Sequence, residues 1–397
     1  MTKAEMKEEI EEAFEGIQEM TPKYVDFLRD ICNLEGMARD KERMDRIADF
    51  IEAFARREGF SVKRTPFETC GDFLTIDLNE GAEKSYLFLA HMDTVHEYGK
   101  FGNPPVTIQG DIMRGPGTID CKGGIAVALL AMKELKRIGF PKHLRLILTS
   151  DEEISNSLGG GKEMEFIRKS VEGFKGALNC EVSEEGTAVV SRSGILRVKI
   201  DIAGKAAHSG INYFEGISAV REAAHKILAL EGKSVPGGTT YNCGIIHGGE
   251  LANIVPERCS LVVDVRVHSL EEMDRAWETV KTVAQTSFVE GTEASLTVVS
   301  RRRPMLHTRA TDALFEKIRR VSLEYGLGDL KPVESGGGSD SAYTQAAGVP
   351  SVCALGTYGQ FCHTDREYMK ISSLPERAEL LAALCCEDGL GAKAVNA

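Results

Sequence analysis

Long hydrophobic runs are missing from this 397-residue chain. No apolar stretch approaches the roughly 18 residues that a membrane-spanning helix needs. Residues 1–20 alternate charged and apolar residues and lack the apolar core of a secretory signal. The chain also has no Cys-x-x-Cys pair and no basic stripe with interleaved aromatic residues, which argues against a cysteine-based zinc site and against nucleic-acid binding. We therefore expect a soluble protein that binds neither membranes nor nucleic acids.

The composition is that of an ordinary acidic globular protein. Hydrophobic residues make up 42% and charged residues 27% of the chain, and 48 basic residues against 60 acidic ones give a formal net charge of −12. The length favours about two domains, whose cores would need no disulfide bonds to be stable. Because the ten cysteines are scattered along the chain, we expect reduced thiols and a cytoplasmic location.

The N-terminal part has the pattern of an α/β sheet. The first 60 residues are predicted to be helical, with Gly59 as a stop signal. Buried strands are predicted at residues 86–90 and 144–150, on either side of a buried helix at 125–135. Residues that can bind metal follow both strands, and sites in such sheets lie beyond the carboxyl ends of the strands.

A different pattern begins after about residue 192. Residues 195–202 alternate apolar and polar side chains, as a half-exposed antiparallel strand would. Ser269 and Glu272 have the spacing of a capping box at the start of a helix. This block is predicted to be a small α+β domain inserted into the larger one. Its other predicted elements are a helix at 216–231, a strand at 257–267, the end of the capped helix near 284 and a strand at 295–300.

Three segments carry residue types that can bind a metal ion or activate water. His91 and Asp93 form a His-x-Asp pair, in which the carboxylate could hold the imidazole. Asp120 lies in the glycine-rich segment GPGTIDCKGG, and the adjacent carboxylates Glu152 and Glu153 follow a predicted strand. Each segment also has an ordinary interpretation: a surface turn, a tight turn before a helix, and a charged helix start.

Three further residues are ambiguous when taken alone. Glu181 lies in LNCEVSEEG, His208 in GKAAHSG and His363 in GQFCHTD. A single residue of this kind is more often a surface or structural residue than a catalytic one. No single element therefore decides the chemistry.

The order of these motifs along the chain is more specific than any one of them. HMDTV, GPGTIDCKGG, TSDEE, GKAAHSG, GGGSD and CHTD follow one another in that order. In this the chain resembles, from about residue 25 to 390, the co-catalytic dinuclear zinc exopeptidase family. That family includes bacterial glutamate carboxypeptidase, acetylornithine deacetylase, succinyl-diaminopimelate desuccinylase, aminoacylases and peptidase T.

The resemblance implies a set of metal ligands. His91 and Glu181 would bind one zinc ion, Glu153 and His363 would bind the other, and Asp120 would bridge the two. Two Zn²⁺ per chain are therefore expected, and ligation by imidazoles and carboxylates would also accept Co²⁺ or Mn²⁺.

The resemblance also implies catalytic roles for three residues. Asp93 would orient His91, and Glu152 would be the general base that takes a proton from the attacking water and returns it to the leaving nitrogen. His208 would reach the active site of a second subunit and stabilise the oxyanion there. The inserted domain would accordingly form the lid and the dimerisation surface of a homodimer.

Substrate contacts follow from the same resemblance. Asn253 and Arg266 match the family's substrate-binding Asn and Arg, and Arg303 would be a second arginine for a carboxylate. A guanidinium fork binds a free carboxylate through two hydrogen bonds, which would make the enzyme exo-acting. Gly337 and Gly338 would allow backbone amides to approach the substrate.

The chain departs from the family pattern at two places. Cys121 follows the expected bridging residue Asp120, where many relatives carry Asp or Met, and the peptide bond between the two is often cis in the family. Glu181 lacks the proline that often follows the ligand, which leaves Glu184 and Glu185 as alternative ligands.

The expected fold is therefore α/β: a zinc-exopeptidase-like catalytic domain with a mixed central sheet, plus an inserted ferredoxin-like α+β domain. The expected boundaries are residues 1–192 and 305–397 for the catalytic domain and 193–304 for the insertion. The expected activity is hydrolysis of an amide or peptide bond next to a free carboxylate. An N-acyl amino acid deacylase or desuccinylase, a non-catalytic zinc- or peptide-binding member, and a cysteine hydrolase remain the alternatives.

Overall fold

A computed structural model describes residues 3–389 of the chain. The chain divides into two compact units. Unit 2 comprises Ser191–Leu306 together with Ser335–Gly338, and unit 1 comprises the other described residues. Among the described helices, none is both long enough and apolar enough to cross a membrane. The helices are α1 (Lys3–Asn33), α2 (Lys41–Arg57), α3 (Lys122–Arg137), α4 (Lys162–Ser170), α5 (Ala219–Glu231), α6 (Leu270–Gln285), α7 (Arg309–Glu324), α8 (Ser341–Ala346) and α9 (Ser373–Gly389).

The strands range from two to ten residues in length. They are β1 (Ser61–Thr65), β2 (Phe73–Leu78), β3 (Lys84–His91), β4 (Thr107–Gln109), β5 (Ile112–Arg114), β6 (His143–Thr149), β7 (Gly176–Asn179), β8 (Thr187–Arg192), β9 (Gly194–Ala203), β10 (Thr240–Gly248), β11 (Arg258–Val267), β12 (Glu293–Arg302), β13 (Lys331–Ser335), β14 (Ser351–Val352), β15 (Gly359–Gln360) and β16 (Tyr368–Lys370).

The central sheet of unit 1 is mixed, as the sequence predicts. Its strand order is β1-β2-β6-β3-β7-β14. The β1–β2 and β2–β6 pairs are antiparallel, whereas β3 pairs in parallel with both β6 and β7. Strands β3 and β6 lie inside the sheet, and their side chains are almost wholly buried. This burial explains why both strands appear in the sequence as continuous apolar runs.

Helix α3 connects the sheet to the N- and C-terminal helices of unit 1. It packs on β3 and β6 and also contacts α1 and α9. Gly124 lies in its first turn, where an added Cβ would lie 1.9 Å from the carbonyl oxygen of Cys180. Glycine at this position therefore lets the start of α3 approach the chain next to Glu181.

Helix α2 shows the predicted apolar face. Asp40 caps its N-terminus by accepting a hydrogen bond from Arg43 N, and Gly59 lies just beyond its end with a φ of 83°. The prediction of helix throughout the first 60 residues is wrong at residues 34–40, where Glu35 takes a left-handed φ of 46°. The face is buried as the periodicity requires, through Met44, Ile47, Ala48, Ile51, Phe54 and Ala55.

Unit 2 has the β-α-β-β-α-β order of the expected ferredoxin-like insertion, and its four-stranded sheet is antiparallel with the order β10-β11-β9-β12. Helix α5 begins at Ala219 instead of 216, because Gly216 is extended and Ser218 is the N-cap. Strand β10 is absent from the sequence prediction, since its mixed residues TYNCGIIHG give no clear period.

The boundaries of the insertion differ from the sequence expectation by two residues at each end and in one further segment. Residues Ser335–Gly338 belong to unit 2, although the sequence places everything after residue 304 in the catalytic domain. Ser193 N donates to Ser335 O at 2.9 Å, and the Arg266 guanidinium donates to Gly336 O at 3.2 Å. These bonds hold the segment against β9 and β11.

Candidate metal centre

The candidate site lies at one edge of the central sheet of unit 1. His91 ends β3, Glu152 and Glu153 form a short 3-10 turn just after β6, and Glu181 follows β7. The three strands are parallel neighbours, so their carboxyl ends meet at the same edge. Residues that are about 30 to 90 positions apart in the sequence are brought together in this way.

Two loops bring the other predicted ligands to this edge. Asp120 lies just before α3 and is 8% exposed, and its peptide bond to Cys121 is cis. His363 lies between β15 and β16, and its side chain is half exposed. The sequence prediction for these two residues depends mainly on the order of the motifs, because neither one ends a long strand.

The two carboxylate oxygens of Asp120 face two different histidines. Oδ1 lies 3.0 Å from His91 Nε2, and Oδ2 lies 3.3 Å from His363 Nε2. Each imidazole nitrogen has a second carboxylate nearby: Glu181 Oε1 at 3.8 Å from His91, and Glu153 Oε2 at 3.1 Å from His363. The arrangement is that of two neighbouring sites with one shared residue.

Asp93 is fully buried behind His91 and Glu152. One of its carboxylate oxygens lies 3.3 Å from His91 Nδ1, and its backbone oxygen is 3.1 Å from the same nitrogen. The carboxylate also accepts hydrogen bonds from Glu152 N at 3.2 Å and from Glu153 N at 3.1 Å. Asp93 therefore fixes both the imidazole and the turn that carries the two glutamates.

The pKa values of the two histidines show how strongly negative this edge is. Burial by itself would lower the pKa of His91, but Cys121 and the carboxylates of Asp120 and Asp93 outweigh it and raise that pKa well above its usual value. Hydrogen bonds to Asp120 and Glu153 raise the pKa of His363 to about 11. A cluster whose negative charge favours protonated histidines to this extent is also suited to binding a divalent cation.

The side chains present fit a metal centre. His91, Asp120 and Glu153 offer ligand atoms that all lie within 4.8 Å of one another. Glu153 Oε1 is buried and has no hydrogen-bond partner within residues 3–389. An imidazole and carboxylate set with an unpaired buried oxygen is a donor set that zinc accepts.

Of the three glutamates proposed for the fifth position, only Glu181 lies in the cluster. It is 5% exposed and, together with His91 and Cys121, offers ligand atoms within 4.8 Å of one another. Glu185 instead forms a salt bridge with Lys370 at 2.9 Å on the surface, and Glu184 is exposed. The Cys121 thiol donates to the carbonyl of Cys180 at 3.2 Å.

A further group of potential ligands lies elsewhere in unit 1. The atoms of Cys70, Asp151 and Glu163 also lie within 4.8 Å of one another, and all three residues are buried. Asp151 Oδ2 accepts from Leu158 N at 3.3 Å, and Glu163 accepts from Gly161 N at 3.2 Å. These contacts anchor the loop that follows the two site glutamates.

Unit 2 places two of its predicted functional residues side by side. Ser209 N donates to Asn253 O at 2.9 Å, and His208 and Ile254 form an antiparallel bridge. The imidazole of His208 accepts from Gly210 N through Nδ1 at 3.2 Å, which leaves the proton on Nε2. His208 can therefore donate a hydrogen bond through Nε2.

The remaining substrate-binding predictions in unit 2 differ in their surroundings. Arg266 donates to Asp264 Oδ1 at 2.6 Å and to Gly336 O, which fixes its guanidinium, whereas Arg303 is exposed. A Cβ on Gly338 would lie 2.8 Å from Ile195 Cδ1, so a larger residue there would have to displace the end of the Ile195 side chain. Gly337 N donates to the Ser335 hydroxyl at 3.2 Å.

Two residues near the centre were missed in the sequence. His96 and Glu367 are buried and joined by a hydrogen bond of 2.6 Å, and Glu367 also contacts the backbone of Asp120. The sequence feature that could have identified them is their closeness in sequence to predicted metal ligands: His96 lies five residues after His91, and Glu367 lies four residues after His363.

Comparison with known proteins gives a consistent result. The sequence model of the protein family "Peptidase family M20/M25/M40" matches residues 87–387 of this chain. Carboxypeptidase G2 from Pseudomonas sp. (strain RS-16) is 30% identical over 388 residues, which cover 95% of this chain and 92% of that protein. Acetylornithine deacetylase from Myxococcus xanthus is 26% identical over 261 residues, which cover 60% of this chain and 66% of that protein.

Solved structures share the fold along nearly the whole chain. The M20 family metallo-carboxypeptidase Sso-CP2 from Sulfolobus solfataricus superposes with a TM-score of 0.77 at 15% identity, covering 91% of this chain and 98% of that one. Aminopeptidase PepT from Bacillus cereus gives a TM-score of 0.73 at 24% identity, covering 92% and 98%. The chain therefore belongs to peptidase family M20/M25/M40 and is a hydrolytic metallopeptidase.

Proposed function

We propose that this metallopeptidase holds two zinc ions that share Asp120 and cleaves an amide or peptide bond next to a free carboxylate. The observation that carries the proposal is the placement of the two oxygens of Asp120, at 3.0 Å from His91 and 3.3 Å from His363. A carboxylate that faces two imidazoles in this way suits a bridging ligand.

The neighbouring carboxylates complete the proposed ligand set. Glu181 would join His91 at one ion, and Glu153 would join His363 at the other, because each pair already lies within 4 Å. Ligation by imidazoles and carboxylates suits Zn²⁺ and also accepts Co²⁺ or Mn²⁺. Asp93 would orient His91 through its Nδ1 nitrogen.

Glu152 is the residue we propose as general base. When bound, the two ions would polarise the scissile carbonyl and make water more acidic. Glu152 is buried, and its backbone N–H donates a hydrogen bond to Asp93, which fixes the backbone position from which its carboxylate extends. It would take a proton from the attacking water and deliver it to the nitrogen of the leaving group.

Recognition of a free carboxylate would fall to unit 2. Arg266 is held by Asp264 and Gly336, which restrains the orientation of a guanidinium fork before a substrate arrives. Asn253 and His208 lie side by side, with a proton on His208 Nε2 available for an oxyanion. We assign Arg303, Gly337 and Gly338 supporting contacts with the substrate.

A deacylase of N-acyl amino acids is the second candidate. It is favoured by the similarity to acetylornithine deacetylases, which by their name remove an acetyl group from an amino acid. Both reactions use attack of water on an amide beside a carboxylate, so the same site residues would serve. The chemical difference lies only in the group on the nitrogen.

We further propose that the enzyme is a cytoplasmic homodimer. Strand β10 is an edge strand of unit 2, and apolar residues are exposed on it and on the helix α5 that packs against it. Ile245 and Ile246 on β10 are 49% and 45% exposed, and Leu228 on α5 is 73% exposed. Such an unpaired edge beside an apolar face favours pairing with a second copy. All ten cysteines are free thiols, which supports a reducing compartment.

A paired substrate panel tests the proposed reaction. Zinc-loaded protein would be assayed with dipeptides, tripeptides and N-acetyl, N-succinyl and N-formyl amino acids, each with a free and an amidated carboxyl terminus. Release of an amino acid from the free-carboxylate forms only, abolished by a chelator and restored by zinc, supports the proposal. Equal cleavage of the amidated forms would contradict the requirement for a free carboxylate, and the preferred acyl group separates peptidase from deacylase.

A further inference from the structure

A buried hydrogen-bonded pair lies beneath the candidate metal centre. His96 Nε2 lies 2.6 Å from Glu367 Oε2, and the two residues are 2% and 1% exposed. The ring of Phe101 packs edge-on against the imidazole, with the ring centres 4.9 Å apart. The Nδ1 nitrogen of His96 has no hydrogen-bond partner within residues 3–389, so Nε2 carries the proton and donates to the carboxylate.

The other oxygen of Glu367 binds the loop that carries Asp120. Glu367 Oε1 accepts hydrogen bonds from the backbone N–H of Ile119 at 3.1 Å and of Asp120 at 3.3 Å. Two donors on one carboxylate oxygen hold this stretch of backbone in one position relative to the glutamate. Backbone hydrogen bonds to a carboxylate are charge-assisted and therefore stronger than neutral ones.

The backbone of Glu367 makes a third connection to the same loop. Gly115 N donates to Glu367 O at 3.3 Å, and the next residue, Tyr368, pairs with Arg114 between β16 and β5. Glu367 lies only four residues after His363. One residue therefore ties the segment of His363 to the loop of Asp120, although the two are more than 240 positions apart in sequence.

We propose that Glu367, held by His96, is a positioning residue that keeps Asp120 and His363 in register for metal binding. The inference rests on the proposed function, because it takes Asp120 and His363 as ligands. A carboxylate shared by two ions must keep both oxygens correctly placed, so a small movement of its backbone would weaken both sites at once.

The charges around the pair fit this role. Lys122 is fully buried two residues after Asp120; burial lowers the pKa of its ammonium group, and the negative charges of Glu367 and Asp93 act against that shift. The Lys122 ammonium group would offset part of the cost of burying a carboxylate at position 367. His96 adds a directional hydrogen bond that sets which way the carboxylate points.

Measuring zinc affinity can distinguish a residue that positions the metal ligands from one that only stabilises the fold. Loss of a hydrogen-bonding partner behind a metal ligand commonly weakens binding about 10-fold to 100-fold. We expect Glu367→Ala to raise the dissociation constants of both zinc ions in this range. Glu367→Gln keeps an oxygen for the two backbone N–H groups but turns an NH2 group, which cannot accept a hydrogen bond, toward His96 Nε2. Its loss of zinc affinity should therefore be smaller than that of Glu367→Ala.

The experiment compares four variants in one assay. Zinc would be titrated into the folded, metal-free protein against a chromophoric chelator for E367A, E367Q, H96F and the control H143F. His143 forms a similar buried bond of 2.7 Å with Asp77, and Arg145 still holds that aspartate when the histidine is removed. The thermal unfolding of each metal-free variant and the visible absorption spectrum of its Co²⁺ form would be recorded in parallel.

The outcomes distinguish the two roles. Weaker zinc binding and an altered Co²⁺ spectrum in E367A and H96F, with partial rescue in E367Q and unchanged binding in H143F, support the proposal. A lower unfolding temperature with unchanged zinc affinity and spectrum in E367A, E367Q and H96F would overturn it and leave the proposed function intact. A wild-type protein that binds no metal at all would overturn both.

Discussion

At the scale of single residues, the candidate centre depends on which atom of each side chain faces which neighbour. The two histidines meet opposite oxygens of Asp120, and Asp93 holds the far nitrogen of His91. The sequence could name these residues through motif order, but it could not show that Glu367 and His96 support them. Buried side-chain pairs across 271 positions leave no local pattern.

We predict that Glu152→Gln removes activity and leaves metal binding in place. General base catalysis typically contributes about 10²-fold to 10⁴-fold, so kcat should fall by at least that much. The measurement is kcat together with zinc per chain. The matched control is Glu165→Gln, because Glu165 is an exposed residue on α4 that pairs with Arg168 and should not affect turnover. Full activity in E152Q would contradict the assignment.

We also predict different effects for the glutamates near β7. Glu181→Gln should lower zinc affinity, since Glu181 is buried beside His91, with Oε1 3.8 Å from its Nε2 nitrogen. Glu185→Gln should leave zinc affinity unchanged, since it removes only an exposed salt bridge with Lys370. Zinc titration of both variants gives the comparison. A larger loss of zinc affinity in Glu185→Gln than in Glu181→Gln would show that Glu185 is the ligand.

At the scale of elements, strands that end in ligand-type residues were the most predictable part of the fold. β3 and β6 are buried on both faces and give continuous apolar runs, and α3 gives an equally clear one. Short edge strands such as β4, and β10 with its mixed residues, carry no such signal. Their position depends on pairing with distant strands, which a local pattern does not contain.

Strand β11 provides a pH-dependent test. Burial would raise the pKa of Asp264, but hydrogen bonds from Arg266 and Arg197 outweigh it and lower that pKa below its usual value. A carboxyl group with a lowered folded-state pKa stabilises the protein above its unfolded-state pKa, near 4. This stabilisation is lost as the pH falls through the lower folded-state value.

We therefore predict that Asp264→Asn lowers the free energy of unfolding at pH 7 and that its difference from wild type shrinks below about pH 4. Urea unfolding at a series of pH values measures this. The same variant should raise KM for substrates with a free carboxylate, because Arg266 loses the partner that orients it. A pH-independent difference in stability would contradict the role given to the ionised carboxylate.

At the scale of the whole molecule, the proposed dimer links the exposed edge of unit 2 to catalysis. Ile246→Lys combined with Leu228→Lys should give a monomer, since both residues are exposed and apolar. If His208 acts in the second subunit, kcat should fall when the dimer is lost. Sedimentation and kcat report the two effects, with Leu323→Lys on the exposed face of α7 as control. A fully active monomer would contradict the role of His208 across subunits.

The central claim is that two metal ions share Asp120, and anomalous diffraction from zinc-loaded crystals tests it most directly. We predict two peaks, one beside His91 and Glu181 and one beside His363 and Glu153, about 3.5–4 Å apart on either side of Asp120. A single peak there, or zinc bound only at Cys70, Asp151 and Glu163, would contradict it.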